Sequence, residues 1–163
     1  MPDTKLLSFD TSSKSTGVGI YVNGEYSSCQ CIDFSKTVLM QERLQPMVKA
    51  IIELIDKEKP SIVAVETTAV NRNAQTQRFL TMIIGAIYGK CVEDDIYFES
   101  FTPSQWRSLV SREKRPTKRQ ELKQWSKDKV KEIFGFEINN DDISDAILIG
   151  FAYINKYKGA QTE

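Results

Sequence analysis

Four carboxylates in this 163-residue chain stand where an acid is out of place unless it works or is paired: Asp10, Glu66, Asp142 and Asp145. Asp10 ends the apolar run LLSFD and Glu66 ends SIVAVE, so both are expected at the carboxyl ends of buried strands, the edge at which such sheets bind ligands. Asp142 and Asp145 are three residues apart at the start of a helical pattern and project from one side of its first turn. Each alone has an ordinary explanation. Asp142, beside Asp141, favours a helix N-terminus electrostatically, Asp145 pairs with a surface lysine, and Glu66 is a strand-end acid. Together they are a different matter, because four acids meeting at one point repel unless a cation holds them. Hard oxygen ligands suit Mg2+ or Mn2+. Two such ions, about 4 Å apart, can activate a water and stabilise the leaving oxygen in phosphodiester hydrolysis.

The chain has no histidine, which excludes His-based triads, His–zinc sites and HNH-type nucleases. Cys29, Cys31 and Cys91 have no zinc-like spacing and read as reduced structural thiols. Lysine and arginine balance aspartate and glutamate at 22 each, yet residues 107–131 hold ten bases against Glu113, Glu121 and Asp128. That surplus of seven is either a phosphate-binding surface or a solvated helix face.

The elements that must position these residues follow from periodicity. Strands are expected at residues 5–11, 16–22 and 25–34, the last two joined by an Asn23-Gly24 hairpin. A helix carrying Leu44, Met47, Val48, Ile51, Ile52 and Ile55 follows, bent or shortened by Pro46 and ended by Lys59-Pro60. Residues 61–66 form a strand buried on both faces. The helix at 74–91 has Leu80, Ile83, Ile84 and Ile87 on one side and Phe79, Met82 and Ala86 on another, so it lies deep in the core or meets a partner chain. A fifth strand at 96–101 leads to a short helix at 103–109 capped by Thr102. A charged loop at 112–116 precedes a basic helix capped by Thr117 and stopped by Gly135. The last helix spans 141–157. This order predicts an α/β mixed sheet flanked by helices, one domain over residues 1–163. The longest apolar stretch, 143–154, is too short and interrupted to span a bilayer, and Asp3, Lys5 and Asp10 break any signal-peptide run. A soluble cytoplasmic protein is expected.

The segment Asp10-Thr11-Ser12-Ser13-Lys14-Ser15-Thr16-Gly17-Val18-Gly19 resembles the first motif of RuvC-like Holliday junction resolvases, with Thr-Gly six and seven positions after the acid. Glu66 after SIVAV looks like that family's second acid, followed by matching Asn73-Ala74 and Gly85, and Asp142-Ile143-Ser144-Asp145-Ala146 is similar to its closing Asp-x-x-Asp-Ala. Arg107 and Lys118 fall where the family keeps two basic residues important for activity. The resemblance covers residues 6–154. It implies an RNase H-like fold with a five-stranded sheet, strands one to three antiparallel, four and five parallel to the first, and helices on both faces. It further implies a homodimer through helix 74–91 that nicks four-way DNA junctions symmetrically, leaves 5′-phosphates, and serves recombination, repair or phage DNA processing. Asp10 and Glu66 would bridge or flank two Mg2+ or Mn2+ ions, Asp142 and Asp145 would complete the shell, and Lys118 would neutralise charge on the phosphate. Arg107, Lys114, Arg115, Lys118, Arg119, Lys123, Arg72 and Asn73 would contact DNA. Trp106 and Trp125 read as core or helix-packing residues.

Two departures favour a phage-type member with loose sequence demands: Ala69 stands where cellular members often carry a base-probing aromatic, and residues 112–119 are more charged than the usual glycine-containing linker. Rival readings stay open. A related nuclease could act on flaps or RNA–DNA hybrids. The first motif also resembles the phosphate-binding turn of actin-like ATPases, which need a second lobe for which this chain has no room. A non-catalytic DNA-binding dimer need not retain all four acids.

Overall fold

Side chains alternate along β1 (Lys5–Thr11), so Leu7 and Phe9 leave one face and Leu6, Ser8 and Asp10 the other. In the computed structural model, which describes residues 2–67 and 73–159, this strand is the centre of a five-stranded sheet ordered β3-β2-β1-β4-β5. β2 (Ser15–Val22) and β3 (Glu25–Asp33) continue antiparallel from β1, turning at Asn23 and Gly24, whose φ values of 53° and 81° suit those residue types. α1 (Met40–Glu58) leads to β4 (Ile62–Glu66), which pairs parallel to β1, and α2 (Ala74–Glu93) leads to β5 (Tyr97–Phe101), parallel to β4. α3 (Pro103–Val110), α4 (Arg119–Phe134) and α5 (Asp141–Gly159) complete the chain. The mixed sheet with helices on both faces is the one expected.

Two apolar layers result. Leu7, Phe9, Val18 and Val63 pack against Met47 and Ile51 of α1 and Ile83 and Ile87 of α2. On the opposite face Leu6, Tyr21 and Ala64 meet Trp106, Val130 and the Ile147–Ile149 stretch of α3, α4 and α5. This second face is built for close approach. A Cβ on Gly17 would lie within 2.7 Å of the Ile143 amide and closer still to the Asp142 carbonyl; one on Gly19 would lie 3.2 Å from Ile147 Cα. Ser8 and Tyr21 then donate from their hydroxyls to the carbonyls of Ala146 and Ile147, at 2.6 and 2.5 Å. Small residues and two buried donors thus seat the first half of α5 on the sheet.

Three local expectations are corrected. Pro46 does not shorten α1, which starts six residues before it at Met40; the carbonyl it leaves without a helical donor is that of exposed Glu42, which water can serve. Thr117 does not cap α4: Lys118 is the N-cap, with no side-chain cap, and places Thr117 one residue too early. In α2, Phe79 joins Ile83, Ile87 and Cys91 on the buried side, while Met82, Tyr88 and Val92 are exposed beside Gly85 and Gly89. Among the described residues no helix is long and apolar enough to cross a membrane.

Candidate active site

Register brings the acids together. Phe9 faces Val65 across the parallel β1–β4 pair, so Asp10 and Glu66, one residue further along each strand, end side by side on the face that α5 covers. Asp10 pairs across β1–β2 with Gly17, the residue against which the start of α5 is seated. Asn140 fixes that start, its side-chain oxygen accepting from the Ile143 amide at 3.0 Å. Three separate elements therefore deliver Asp10, Glu66, Asp142 and Asp145 to one rim.

Their electrostatics agree with that proximity. Burial, then the charges of Asp145, Glu66 and Asp142, push Asp10 well above the usual carboxylate range, against an opposing pull from Arg107. Glu66 is pushed up to about 7, chiefly by burial, although the Trp106 N–H and Arg107 act against it. Asp145 is raised to about 6, again by burial first, and Asp142 is raised by burial in spite of the hydroxyls of Ser15 and Ser12. Like charges are crowded here in a poorly solvated place.

Neutral donors hold two of the four. The Trp106 indole donates to Glu66 Oε2 at 2.6 Å, and Asp142 Oδ2 accepts from Ser15 and, at 3.4 Å, from Ser12. Asp145 Oδ1 is buried and makes no hydrogen bond, although the nearby Ser126 hydroxyl draws its carboxyl down against burial. Arg107 stacks on Trp106, its guanidinium carbon 4.8 Å from the ring centroid, and its buried Nε has no acceptor. Among the described residues no three side chains already close around one point as a metal cage. The convergence expected of the acids is therefore a gathering, with oxygens of Glu66 and Asp142 turned to their donors. A divalent cation nevertheless fits the donor set: hard oxygens, raised carboxyls and an orphaned Asp145 oxygen all lack the positive charge it would bring.

The basic stretch divides in two. Lys123 and Lys127 are bound by Asp141 at 3.0 and 2.9 Å, Lys129 by Glu113 and Glu132, and Lys131 by Glu137. Lys114, Lys118 and Arg119 are exposed and have no ion-pair partner among the described residues, while Arg115 bonds to Ser111 and Ser108. Lys123 is therefore tied to α5, and Arg107 leans toward the acids instead of open solvent. Asn73 caps α2, accepting from the amides of Gln75 and Thr76. Arg72 and Ala69 lie outside the described residues.

Sequence reasoning passed over Trp106, Ser12, Ser15 and Asp141 as parts of this site. Ser12 and Ser15 stood inside the quoted first motif and were legible as hydroxyls near an acid. Nothing in the helical spacing of Trp106 distinguishes a core indole from one aimed at Glu66.

A mixed sheet in this order, with acids at the carboxyl rim and on the covering helix, defines an RNase H-like domain. The family model for crossover junction endodeoxyribonuclease RuvC matches residues 6–153. A crossover junction endodeoxyribonuclease RuvC from Caldicellulosiruptor saccharolyticus is 25% identical over 157 residues, covering 92% of each chain. Among solved structures, Thermus thermophilus RuvC in complex with a Holliday junction substrate superposes with a TM-score of 0.75 at 16% identity, over 96% of both chains. Fowlpox virus resolvase in its complex with substrate Holliday junction DNA gives 0.65 at 14% identity, over 94% of this chain and 99% of that one. The chain belongs to the RuvC family of crossover junction endodeoxyribonucleases.

Proposed function

We propose that this chain is a metal-dependent endodeoxyribonuclease that resolves four-way DNA junctions by hydrolysing phosphodiester bonds at the rim formed by Asp10, Glu66, Asp142 and Asp145. The observation that carries this reading is the delivery of four buried, raised carboxyls by β1, β4 and α5 to one place, with the other three all acting on Asp10, in a chain of this family. Mg2+ or Mn2+, as two ions, would be held by these four residues and would supply charge neutralisation and an activated water.

The chain's own residues do the rest. Asp10 lies at the centre, since the other three acids all act on it. Arg107, tethered on the Trp106 ring, supplies a fixed positive charge beside the acids, where it can meet a non-bridging phosphate oxygen. Exposed Lys118, with Arg119 and Lys114, provides phosphate contacts that draw a DNA arm across the rim, and Arg115, Arg72 and Asn73 are read as further DNA contacts. The outward apolar strip of α2 at Met82, Tyr88 and Val92 is read as the homodimer surface, so that two rims face two strands of one junction. The site of action is read as cytoplasmic, where unpaired thiols such as Cys29, Cys31 and Cys91 are kept reduced.

The test offers four-way, three-way, flap, linear duplex and RNA–DNA hybrid substrates side by side in Mg2+. Preferred nicking of the four-way junction supports the reading; preference for flaps or hybrids moves the chain to a related nuclease activity. Asp10→Asn and Glu66→Gln should each abolish cleavage while junction binding, measured by mobility shift, persists. Junctions of varied fixed core should be cut with little dependence on one tetranucleotide, as expected of a phage-type member.

A further inference from the structure

We propose that Trp106 is a positioning residue for Glu66, presetting that carboxylate to offer a single oxygen to a small, hard cation. The inference rests on the reading of Glu66 as a metal ligand.

Glu66 faces Phe101 in the β4–β5 register, and Thr67, the next residue, donates from its amide to the Phe101 carbonyl at 2.8 Å. α3 begins two residues beyond Phe101, at Pro103, locked by a capping box: Gln105 N to Thr102 Oγ1 at 3.2 Å, and Thr102 N to Gln105 Oε1 at 2.9 Å. Trp106 is thus tied through a short rigid path to the strand that neighbours its acceptor. Its side chain is fully buried, with Arg107 over the ring and Trp125 at 6.4 Å between centroids. A ring so enclosed has little freedom to turn.

The chemistry of the donor matters as much as its position. An indole has one N–H and no acceptor, so it grips one oxygen and has no alternative partner to swing toward. It is also neutral. A lysine at this place would orient Glu66 and cancel its charge, competing with the cation; the indole orients and leaves the charge in place. With Oε2 engaged at 2.6 Å, Oε1 is the oxygen left for a ligand. Ser15 and Ser12 treat Asp142 in the same manner, holding Oδ2 with neutral hydroxyls. Single-oxygen ligation suits Mg2+, which demands near-ideal octahedral geometry, whereas Ca2+ tolerates bidentate carboxylates and variable coordination.

The experiment uses the full chain, 15N-labelled and stripped of metal. Two indoles are present, and Trp125→Phe assigns their N–H signals. The Trp106 signal should lie downfield of that of Trp125, shift with Glu66→Gln, and shift again when Mg2+ is added to the unaltered protein. By calorimetry Trp106→Phe, which keeps the aromatic ring but removes the donor, should weaken Mg2+ binding about 10- to 100-fold, the range for lost ligand-orienting partners. Ca2+ binding should weaken much less, a split that a merely structural loss would not produce. An indole signal indifferent to both Glu66→Gln and Mg2+, or a folded Trp106→Phe binding Mg2+ as tightly as the parent, overturns the proposal. If Trp106→Phe does not fold, the signals of the unaltered chain decide. Full cleavage by Glu66→Gln would instead sink the assignment of Glu66 as a ligand, a separate failure.

Discussion

Glu66 and Asp145 are held in a state that favours their neutral forms, at about 7 and about 6, because burial and neighbouring acids disfavour the second charge in so small a space. A raised carboxyl stabilises the fold fully below its unfolded value, and that contribution is lost as pH rises through the folded value. For Glu66 the window runs from 4.5 to about 7, and for Asp145 from 3.8 to about 6. The depressed carboxyls of Asp33, Asp141 and Glu137 act with the opposite sign, but below their ordinary values of 3.8, 3.8 and 4.5. Between pH 5 and 8 the acid rim therefore sets the trend: in EDTA the melting temperature should fall as pH rises. Mg2+ should remove much of that fall, stabilising more at pH 7.5 than at pH 5, because ligation requires the charged form. Glu66→Gln should flatten the EDTA curve. A metal-free protein that gains stability across this interval would falsify the account.

At the scale of elements, the seam between β2 and α5 decides where two of the acids stand. Gly17 leaves no room for a methyl group: the obstruction is the backbone of Asp142 and Ile143, which has no rotamer to change. Gly17→Ala should cost about 1–3 kcal/mol in denaturant unfolding, the usual range for overpacking. It should also depress cleavage beyond what that loss explains, since Asp142 and Asp145 move with the helix. The basic helix gives a second test. Lys118→Ala and Arg119→Ala should each reduce the steepness of log affinity against log salt by about 0.9, one duplex phosphate contact each. Lys131→Ala should leave the slope alone, because Lys131 is engaged by Glu137. The seam also shows what a sequence exposes. Strand-end acids, the Asn23-Gly24 turn and the helix periods were legible because each depends on neighbours along the chain. The Trp106–Glu66 bond joins residues 40 apart, and the Lys123–Asp141 pair joins α4 to α5; such contacts are decided by packing geometry and leave no spacing to read. Thr117 failed as a cap for a related reason: a one-residue offset in helix start is settled by the whole loop.

For the whole molecule, the surface left over by the fold is informative. α2 buries Phe79, Ile83, Ile87 and Cys91, and turns Met82, Tyr88 and Val92 outward at 55, 53 and 61% exposure. A cavity of about 390 Å³ beside them is lined by Thr81, Ile84, Gly85, Tyr88 and Phe98, together with Thr67, the residue after Glu66. An apolar strip broken by small residues at Gly85 and Gly89 suits the close approach of a second helix, and Thr67 places that approach next to the rim. If two copies pair there, resolution requires both rims to act within one lifetime of the complex. Met82→Glu with Val92→Glu buries charge at the pairing surface and should yield a monomer by sedimentation, with the fold and the single rim intact. On a supercoiled plasmid that extrudes a cruciform, the parent protein should give mainly linear product, because the second nick follows before dissociation. The double variant should give mainly nicked circles, since each nick then needs its own encounter and the first nick relaxes the cruciform away. A variant that stays dimeric would move the pairing surface off α2, and a monomer that still linearises the plasmid would show that the second cut does not need a paired rim.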